Sequence, residues 1–192
     1  MKIKRADKLT DLKWLNMFDV NYIDQNGHPG SWQLASRSEA PKCISGKFNV
    51  PDAVVIVPFH AAEKKIVIIK EYRIPLADYE YGFPAGLIDP GETIEQTARR
   101  ELQEETGLVV TRFLKISAPL YSSAGMTDES VAMVYVECDG QPSTAGNQDS
   151  ELIEVQLVTR TQASKMCENP ALKLDVKAWL VLAGFSEKGI IE

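Results

Sequence analysis

The chain has few of the residues that build zinc and disulfide sites. Its 192 residues include only three cysteines and two histidines. The cysteines, Cys43, Cys138 and Cys167, are odd in number and show no CxxC spacing, which favours reduced thiols in a cytosolic protein. The histidines, His28 and His60, are too few for a histidine-rich zinc site.

Long apolar runs, an excess of basic residues and internal repeats are also missing. The longest apolar stretches, residues 53–59 and 178–185, are too short to span a bilayer. The charged N-terminus has no apolar segment behind it, so we expect no signal peptide. A formal net charge of −6 argues against nucleic acid or an anionic membrane as the partner. We therefore expect a soluble, cytoplasmic protein, in which local cations can still favour a phosphate ligand.

The residues that are present suit one globular domain with a small appendage, because 44% are hydrophobic and 25% charged. Residues 15–23 and 32–37 flank the turn-rich stretch 24–30, which predicts a β-hairpin with a longer loop. We interpret residues 1–50 as an antiparallel β appendage. Two or three strands alone are not stable. The appendage must therefore pack on its own main domain or on a second subunit.

Residues 51–192 alternate between strand and helix patterns. Strands are predicted at residues 53–59, 66–72, 112–116, 131–137 and 152–158. Helices are predicted at residues 94–106, 162–167 and 175–183. This mixed order with short connections predicts an α+β fold, a mixed sheet with helices on its faces in an α/β/α sandwich.

The segment from Gly86 to Leu108 contains strong local signals. Pro90–Gly91 is typical of a turn. Thr93 followed by Gln96 is a capping-box signature, and Gly107 is suited to end a helix. A helix is therefore predicted from residue 94 to residue 106.

Three carboxylates, Glu101, Glu104 and Glu105, share one arc of that helix. An apolar stripe beside them would dock the helix on the sheet; it consists of Ile94, Ala98 and Leu102. Clustered carboxylates repel one another unless hard divalent cations such as Mg²⁺ neutralise them. The alternative is a solvated acidic face, and Arg100 can pair with Glu104 in either case.

The segment matches the Nudix box, G-x5-E-x7-R-E-U-x-E-E-x-G-U with U apolar, at every specified position. From about residue 14 onward the chain resembles the ADP-ribose pyrophosphatase branch of the Nudix family, and residues 71–75 and 83–89 resemble the flanks of the box in that branch. The resemblance implies a Nudix fold. It also implies hydrolysis of the diphosphate of ADP-ribose or a related nucleoside diphosphate sugar. The implied cofactor is Mg²⁺, with Mn²⁺ as the alternative ion.

The resemblance also implies roles for individual residues. The carbonyl of Ala85 and the carboxylates of Glu101 and Glu105 would ligate Mg²⁺, and Glu104 would contribute to the same metal cluster. Arg73 would contact the diphosphate, which suits a forked guanidinium.

Two positions near the box keep alternatives open. For Arg73 the alternative is a surface ion pair with Glu71 or Asp78. Glu92 is either an outer metal ligand or a group that fixes the turn before the helix.

In this branch the appendage helps to form a domain-swapped homodimer and a composite base site. Trp14 and Trp32 match two tryptophans that sandwich adenine in some relatives, and Arg37 matches a substrate-contacting arginine. A flat base between two indoles is physically sensible. The alternative for either tryptophan is ordinary packing.

In this branch a general base is often supplied from a loop after the box, and residues 148–155 resemble that region. Glu151 is the first candidate and Glu154 the second, and both could be plain solvated acids. Ser123-Ala124-Gly125 departs from the Ser-Pro-Gly step of relatives, which leaves the substrate open. GDP-mannose, a dinucleoside polyphosphate or an oxidised nucleotide are alternatives, as is a ligand sensor without catalysis.

Overall fold

The structure, a computed structural model, describes residues 1–147 and 152–191. The chain divides into two compact units. The smaller unit comprises Met1–Asp52 and Ala118–Val131, and the larger comprises Ala53–Ser117 and Ala132–Glu192. The smaller unit thus combines the predicted appendage with a later segment of the chain. In the described part of the chain, no helix has the length and apolar character needed to cross a membrane.

The elements follow one another in this order: β1 (Lys2–Lys8), β2 (Asn16–Ile23), β3 (Pro29–Ser36), α1 (Lys42–Ser45), β4 (Ala53–His60), β5 (Lys65–Arg73), a 3-10 turn (Ile74–Leu76), β6 (Asp78–Gly82), β7 (Ala85–Leu87), α2 (Ile94–Thr106), β8 (Val109–Ile116), β9 (Leu120–Tyr121), β10 (Ser130–Asp139), β11 (Ile153–Val158), α3 (Arg160–Glu168) and α4 (Val176–Lys188).

The smaller unit contains an antiparallel sheet in the order β1-β2-β3. The predicted hairpin is present, but its second strand begins at Pro29 rather than residue 32. Pro29 pairs with Ile23 at the first position of β3, a place where a strand tolerates proline. The loop is therefore shorter than the turn-rich sequence suggested.

Segment 118–131 is fastened to the rest of the smaller unit by a network around Lys42, whose side chain is buried. The Lys42 ammonium donates to Asp52 and Ser130, at 2.6 Å each. Asp128 accepts from the Lys42 backbone N–H at 2.7 Å and from the Ser36 hydroxyl at 3.1 Å. A buried ammonium is tolerated only when it is paired in this way.

The larger unit is built on a mixed sheet with the strand order β11-β5-β4-β10-β8, to which β6 and β7 add at β5 and β4. Successive side chains of β4 point to opposite faces. Val54 and Ile56 belong to the same apolar cluster as Ala98 and Leu102 of α2. Phe59, of the other parity, contacts Phe185 of α4 with ring centroids 6.2 Å apart. Helices therefore cover both faces, and the predicted α+β fold with an α/β/α sandwich is confirmed.

The bounds of α2 agree with the prediction, and each predicted strand of residues 51–192 is present within a few residues. The sequence did not predict β6 or β7, which are short and lack an apolar run. β7 nevertheless decides the geometry of the site, because it lies between β4 and α2.

Candidate active site

The position of α2 is fixed at both ends. Thr93 and Gln96 form the predicted capping box, with bonds of 2.8 and 3.2 Å. Gly107 ends the helix at φ 71°, a conformation that favours glycine. Ala98 and Leu102 are fully buried between these ends. The helix can therefore present its carboxylates only along the remaining arc.

Two of those carboxylates converge on the backbone of β7. Glu105, only 7% exposed, accepts from the Ala85 N–H at 3.1 Å. A Cβ at Gly86 would lie 1.8 Å from a Glu101 oxygen, so only glycine permits this approach. Pairing with Val55 and Val54 of β4 holds both backbone positions. The structure thus brings Ala85, Glu101 and Glu105 together, and their roles as metal ligands stay predictions.

Arg100 lies near the middle of α2 and contacts three acidic residues. Its Nε and Nη2 donate to both oxygens of Glu92, at 2.9 and 2.8 Å. Its Nη1 donates to Glu101 at 2.7 Å and to Glu104 at 3.4 Å. The predicted contact with Glu104 is therefore present but is the longest of the set. The pairing with Glu92, eight residues away, was missed because it depends on the path of the turn before the helix.

Glu92 acts as a turn-fixing group in this structure. Besides Arg100, it accepts from the Thr97 hydroxyl at 2.8 Å and from the Asp89 N–H at 3.4 Å. The hydrogen bonds from Arg100, followed by that from Thr97, lower the pKa of Glu92 to about 2. The carboxylate is therefore ionised at neutral pH and ties the turn to α2.

The chemistry of the donors suits a hard divalent cation, since Mg²⁺ prefers carboxylate and carbonyl oxygens. Within residues 1–147 and 152–191, however, no group of three acidic, histidine or cysteine side chains is arranged as a ready metal site. In this arrangement the Arg100 Nη1 contacts both Glu101 and Glu104. The donors therefore fit the metal by type, while the guanidinium neutralises two of them in this arrangement.

Arg73, at the end of β5, interacts with the charges of three carboxylates, those of Glu71, Glu80 and Glu105. Its Nη1 donates to Glu71 at 2.8 Å, and its Nε lies 3.7 Å from Glu80. Burial lowers the pKa of Arg73, but the hydrogen bond that Arg73 donates to Glu71 and the charges of Glu71, Glu80 and Glu105 outweigh it, so the pKa is raised. The alternative partner Asp78 pairs with Lys173 instead.

Glu80 was missed by the sequence reasoning because β6 itself was not predicted. The signal lay in the register: Glu71 and Glu80 are directly opposite each other in β5 and β6.

The candidates for base recognition belong to the smaller unit. Trp14 and Trp32 are 66% and 54% exposed, so neither indole is packed into a core. The Trp32 indole N–H donates to the Gly125 carbonyl at 3.2 Å. Arg37 forms an ion pair with Glu129 at 2.6 Å. Two exposed indoles are compatible with stacking, and their predicted roles stay predictions.

The two general-base candidates differ in what is known of them. Glu151 lies outside the described residues. Glu154 stands opposite Lys70 in the pairing of β11 with β5, and its two oxygens lie 3.1 and 3.2 Å from the Lys70 ammonium. Its role as a base also stays a prediction.

Comparisons with known proteins identify the family of the chain. The NUDIX domain family matches residues 50–180. The chain is 36% identical over 156 residues to putative nudix hydrolase 2 of Caenorhabditis elegans, covering 78% of this chain and 68% of that protein. It is 28% identical over 192 residues to the ADP-ribose pyrophosphatase of Saccharomyces cerevisiae, covering 96% and 82%. A crystal structure of an ADP compounds hydrolase superposes with a TM-score of 0.72 at 19% identity, over 99% and 98% of the two chains.

The α/β/α sandwich and the complete Nudix box on its acidic helix are those of a Nudix hydrolase. The chain belongs to the Nudix family, and its likeness is to the ADP-ribose pyrophosphatases within it.

Proposed function

We propose that this enzyme hydrolyses the diphosphate bond of ADP-ribose, or of a related nucleoside diphosphate sugar, in the presence of Mg²⁺. The products are a nucleoside monophosphate and a sugar phosphate. The observation that carries the proposal is the convergence of Glu101 and Glu105 on the Ala85–Gly86 backbone, close enough to Arg73 for the charge of Glu105 to act on it. The similarity to a yeast ADP-ribose pyrophosphatase supports the choice of substrate.

The metal would be held by Glu101, Glu104, Glu105 and the Ala85 carbonyl. When bound there, Mg²⁺ or Mn²⁺ supplies charge neutralisation at the phosphates and an acidified water. The forked guanidinium of Arg73 suits bidentate contact with phosphate oxygens. Arg100, anchored by Glu92, keeps the first part of α2 in register with β7.

In the hydrolysis, a water oxygen forms a bond to one phosphorus and the bridging P–O bond breaks. The water proton passes to a general base, for which Glu151 is the first candidate and Glu154 the second. The second phosphate leaves with the bridging oxygen. Arg73 stabilises the negative charge that develops on the phosphate oxygens.

Base recognition is assigned to Trp14, Trp32 and Arg37, with adenine between the two indoles. We further propose a homodimer in which residues 1–50 contribute to the partner's site, since a three-stranded sheet needs a surface to pack on. Light scattering at micromolar concentration tests this. A clean monomer would remove the dimer and the composite base site together.

The substrate is tested by measuring nucleoside monophosphate release from a panel that contains ADP-ribose, GDP-mannose, a dinucleoside polyphosphate and an oxidised nucleotide. We expect the highest kcat/KM for ADP-ribose, and loss of activity in EDTA that Mg²⁺ restores. Glu95→Gln removes an exposed carboxylate of α2 that lies outside the proposed site. As a control, this variant should keep the activity of the wild type on every panel member. A clear preference for another panel member would reassign the substrate.

A further inference from the structure

Two carboxylates of the larger unit occupy an unfavourable place. Glu71 of β5 and Glu80 of β6 are direct partners in the antiparallel register. Like charges directly opposite each other destabilise a strand pair. Their side chains are only 24% and 27% exposed, so water screens them incompletely. Such a pair is retained without cost to the sheet only if a cation bridges it.

Arg73 is that cation. It lies two residues after Glu71, on the same face of β5. Its Nη1 donates to Glu71 at 2.8 Å and its Nε lies 3.7 Å from Glu80. Across the described residues, the Arg73 Nη2 makes no protein hydrogen bond, so part of the guanidinium fork keeps its donors for another acceptor.

The chain that leads into α4 runs alongside β6 at Tyr81, the residue after Glu80. Tyr81 donates its N–H to the Lys173 carbonyl at 2.8 Å and accepts from the Asp175 N–H at 2.9 Å. Burial and the charge of Asp175 raise the pKa of Glu80, against the opposing charges of Arg73 and Lys177. Glu80 is thus a partly desolvated carboxylate close to a further acid, Asp175. Both conditions make the ionised form of Glu80 depend more strongly on the positive charge of Arg73.

We propose that Glu71 and Glu80 are positioning residues that hold Arg73 with its remaining N–H groups ready for the substrate diphosphate. The inference rests on the proposed function of Arg73. An arginine that is fixed before binding loses less side-chain freedom when it contacts a phosphate. The two carboxylates act only through the guanidinium.

Simple electrostatics gives the opposite expectation. Two negative charges near a diphosphate repel it, so neutralising either carboxylate would then lower KM. If the carboxylates position Arg73, neutralising either one raises KM. The sign of the change in KM separates the two effects.

The test is a double-mutant cycle with Glu71→Gln, Glu80→Gln and Arg73→Ala, on whichever panel substrate the wild type hydrolyses fastest. We expect KM to rise about tenfold in Glu71→Gln and about threefold in Glu80→Gln, with kcat within about twofold. In the Arg73→Ala background both effects should vanish. Glu63→Gln is the control, because Glu63 pairs with Lys65 in the exposed turn between β4 and β5.

Thermal unfolding of each variant keeps folding defects apart from positioning. If Glu71→Gln fails to fold, the weaker contact of Glu80 carries the test. The NMR signal of the Arg73 Nε–H provides a readout without substrate, and we expect it to move toward the free-arginine position in both variants.

An unchanged or lowered KM in both glutamine variants would overturn the proposal. A wild-type KM in Arg73→Ala would overturn it together with the assigned role of Arg73. A fastest panel substrate other than ADP-ribose would overturn only the proposed substrate, since the cycle would still report on the guanidinium.

Discussion

The charged site of the larger unit and the aromatic surface of the smaller unit are held in opposite ways. Around α2, Arg100 contacts three carboxylates at 2.7 to 3.4 Å, and Glu105 is buried against a backbone N–H. Trp14 and Trp32 are more than half exposed. The carboxylates assigned to the metal are thus restrained by hydrogen bonds within the protein, whereas the two indoles are largely exposed. Removing a member of each region should therefore affect different kinetic constants.

The largest effect is expected at the carboxylates of α2. Glu105→Gln should lower kcat by about 100-fold or more, because a lost metal ligand removes transition-state stabilisation. The glutamine keeps an acceptor for the Ala85 N–H, so the melting temperature should change little. Steady-state kinetics at saturating Mg²⁺ and thermal unfolding provide the two measurements.

Glu104→Gln should show a similar loss of kcat with even less effect on stability, since that side chain is 46% exposed. Glu95→Gln is again the control. If Glu104→Gln or Glu105→Gln stays within about threefold of the wild-type kcat, the assignment of these carboxylates to the metal is wrong.

The next effect is expected in the smaller unit and in KM. Trp32→Ala and Trp14→Ala should each raise KM for ADP-ribose about tenfold while kcat changes little, because stacking on a base is lost. Phenylalanine at either position should restore part of the affinity. Trp179→Ala is the matched control, since Trp179 is 43% exposed on α4 and has no assigned role. A tryptophan variant that lowers kcat and leaves KM unchanged would break the proposed separation of roles.

A smaller effect concerns the acid stability conferred by Glu92. Its folded-state pKa of about 2 lies below the ordinary value of 4.5, so the stabilising contribution is fully present above pH 4.5. That contribution is lost as the pH falls toward 2. The difference in melting temperature between wild type and Glu92→Gln, measured without metal, should therefore shrink over this range. A Glu187→Gln control removes an exposed carboxylate of α4, and its difference should stay nearly constant.

The features that could be predicted from the sequence are those fixed by interactions between residues close together in the chain. The bounds of α2 depend on Thr93, Gln96 and Gly107, all within one turn of its ends, and they were predicted correctly. The grouping of Ala85, Glu101 and Glu105 was implied by the family resemblance, whereas the close approach of Glu101 to Gly86 could be found only from the path of β7. The Glu71–Glu80 pair depends on the register of a strand without an apolar pattern, so no local signal announced it.

The smallest effect is expected at Ala124, in a turn that belongs to the smaller unit. The Met126 N–H donates to the Ser123 carbonyl at 2.8 Å, which places Ala124 second in a four-residue turn. That position favours proline, whose φ near −65° is already suitable. The turn also carries the Gly125 carbonyl that binds the Trp32 indole, so its stiffness bears on the proposed base site.

Ala124→Pro should therefore stabilise the fold by about 0.4–1 kcal/mol, chiefly by restricting the unfolded chain. It should also sharpen the ratio of kcat/KM between ADP-ribose and the other panel substrates by a few-fold, because a stiffer turn holds the Trp32 indole in fewer orientations. Ala124→Ser leaves φ unrestricted and is the control. A raised melting temperature with an unchanged ratio would mean that this turn contributes to stability alone. The ratio of kcat/KM between the panel substrates would then be set elsewhere in the substrate site.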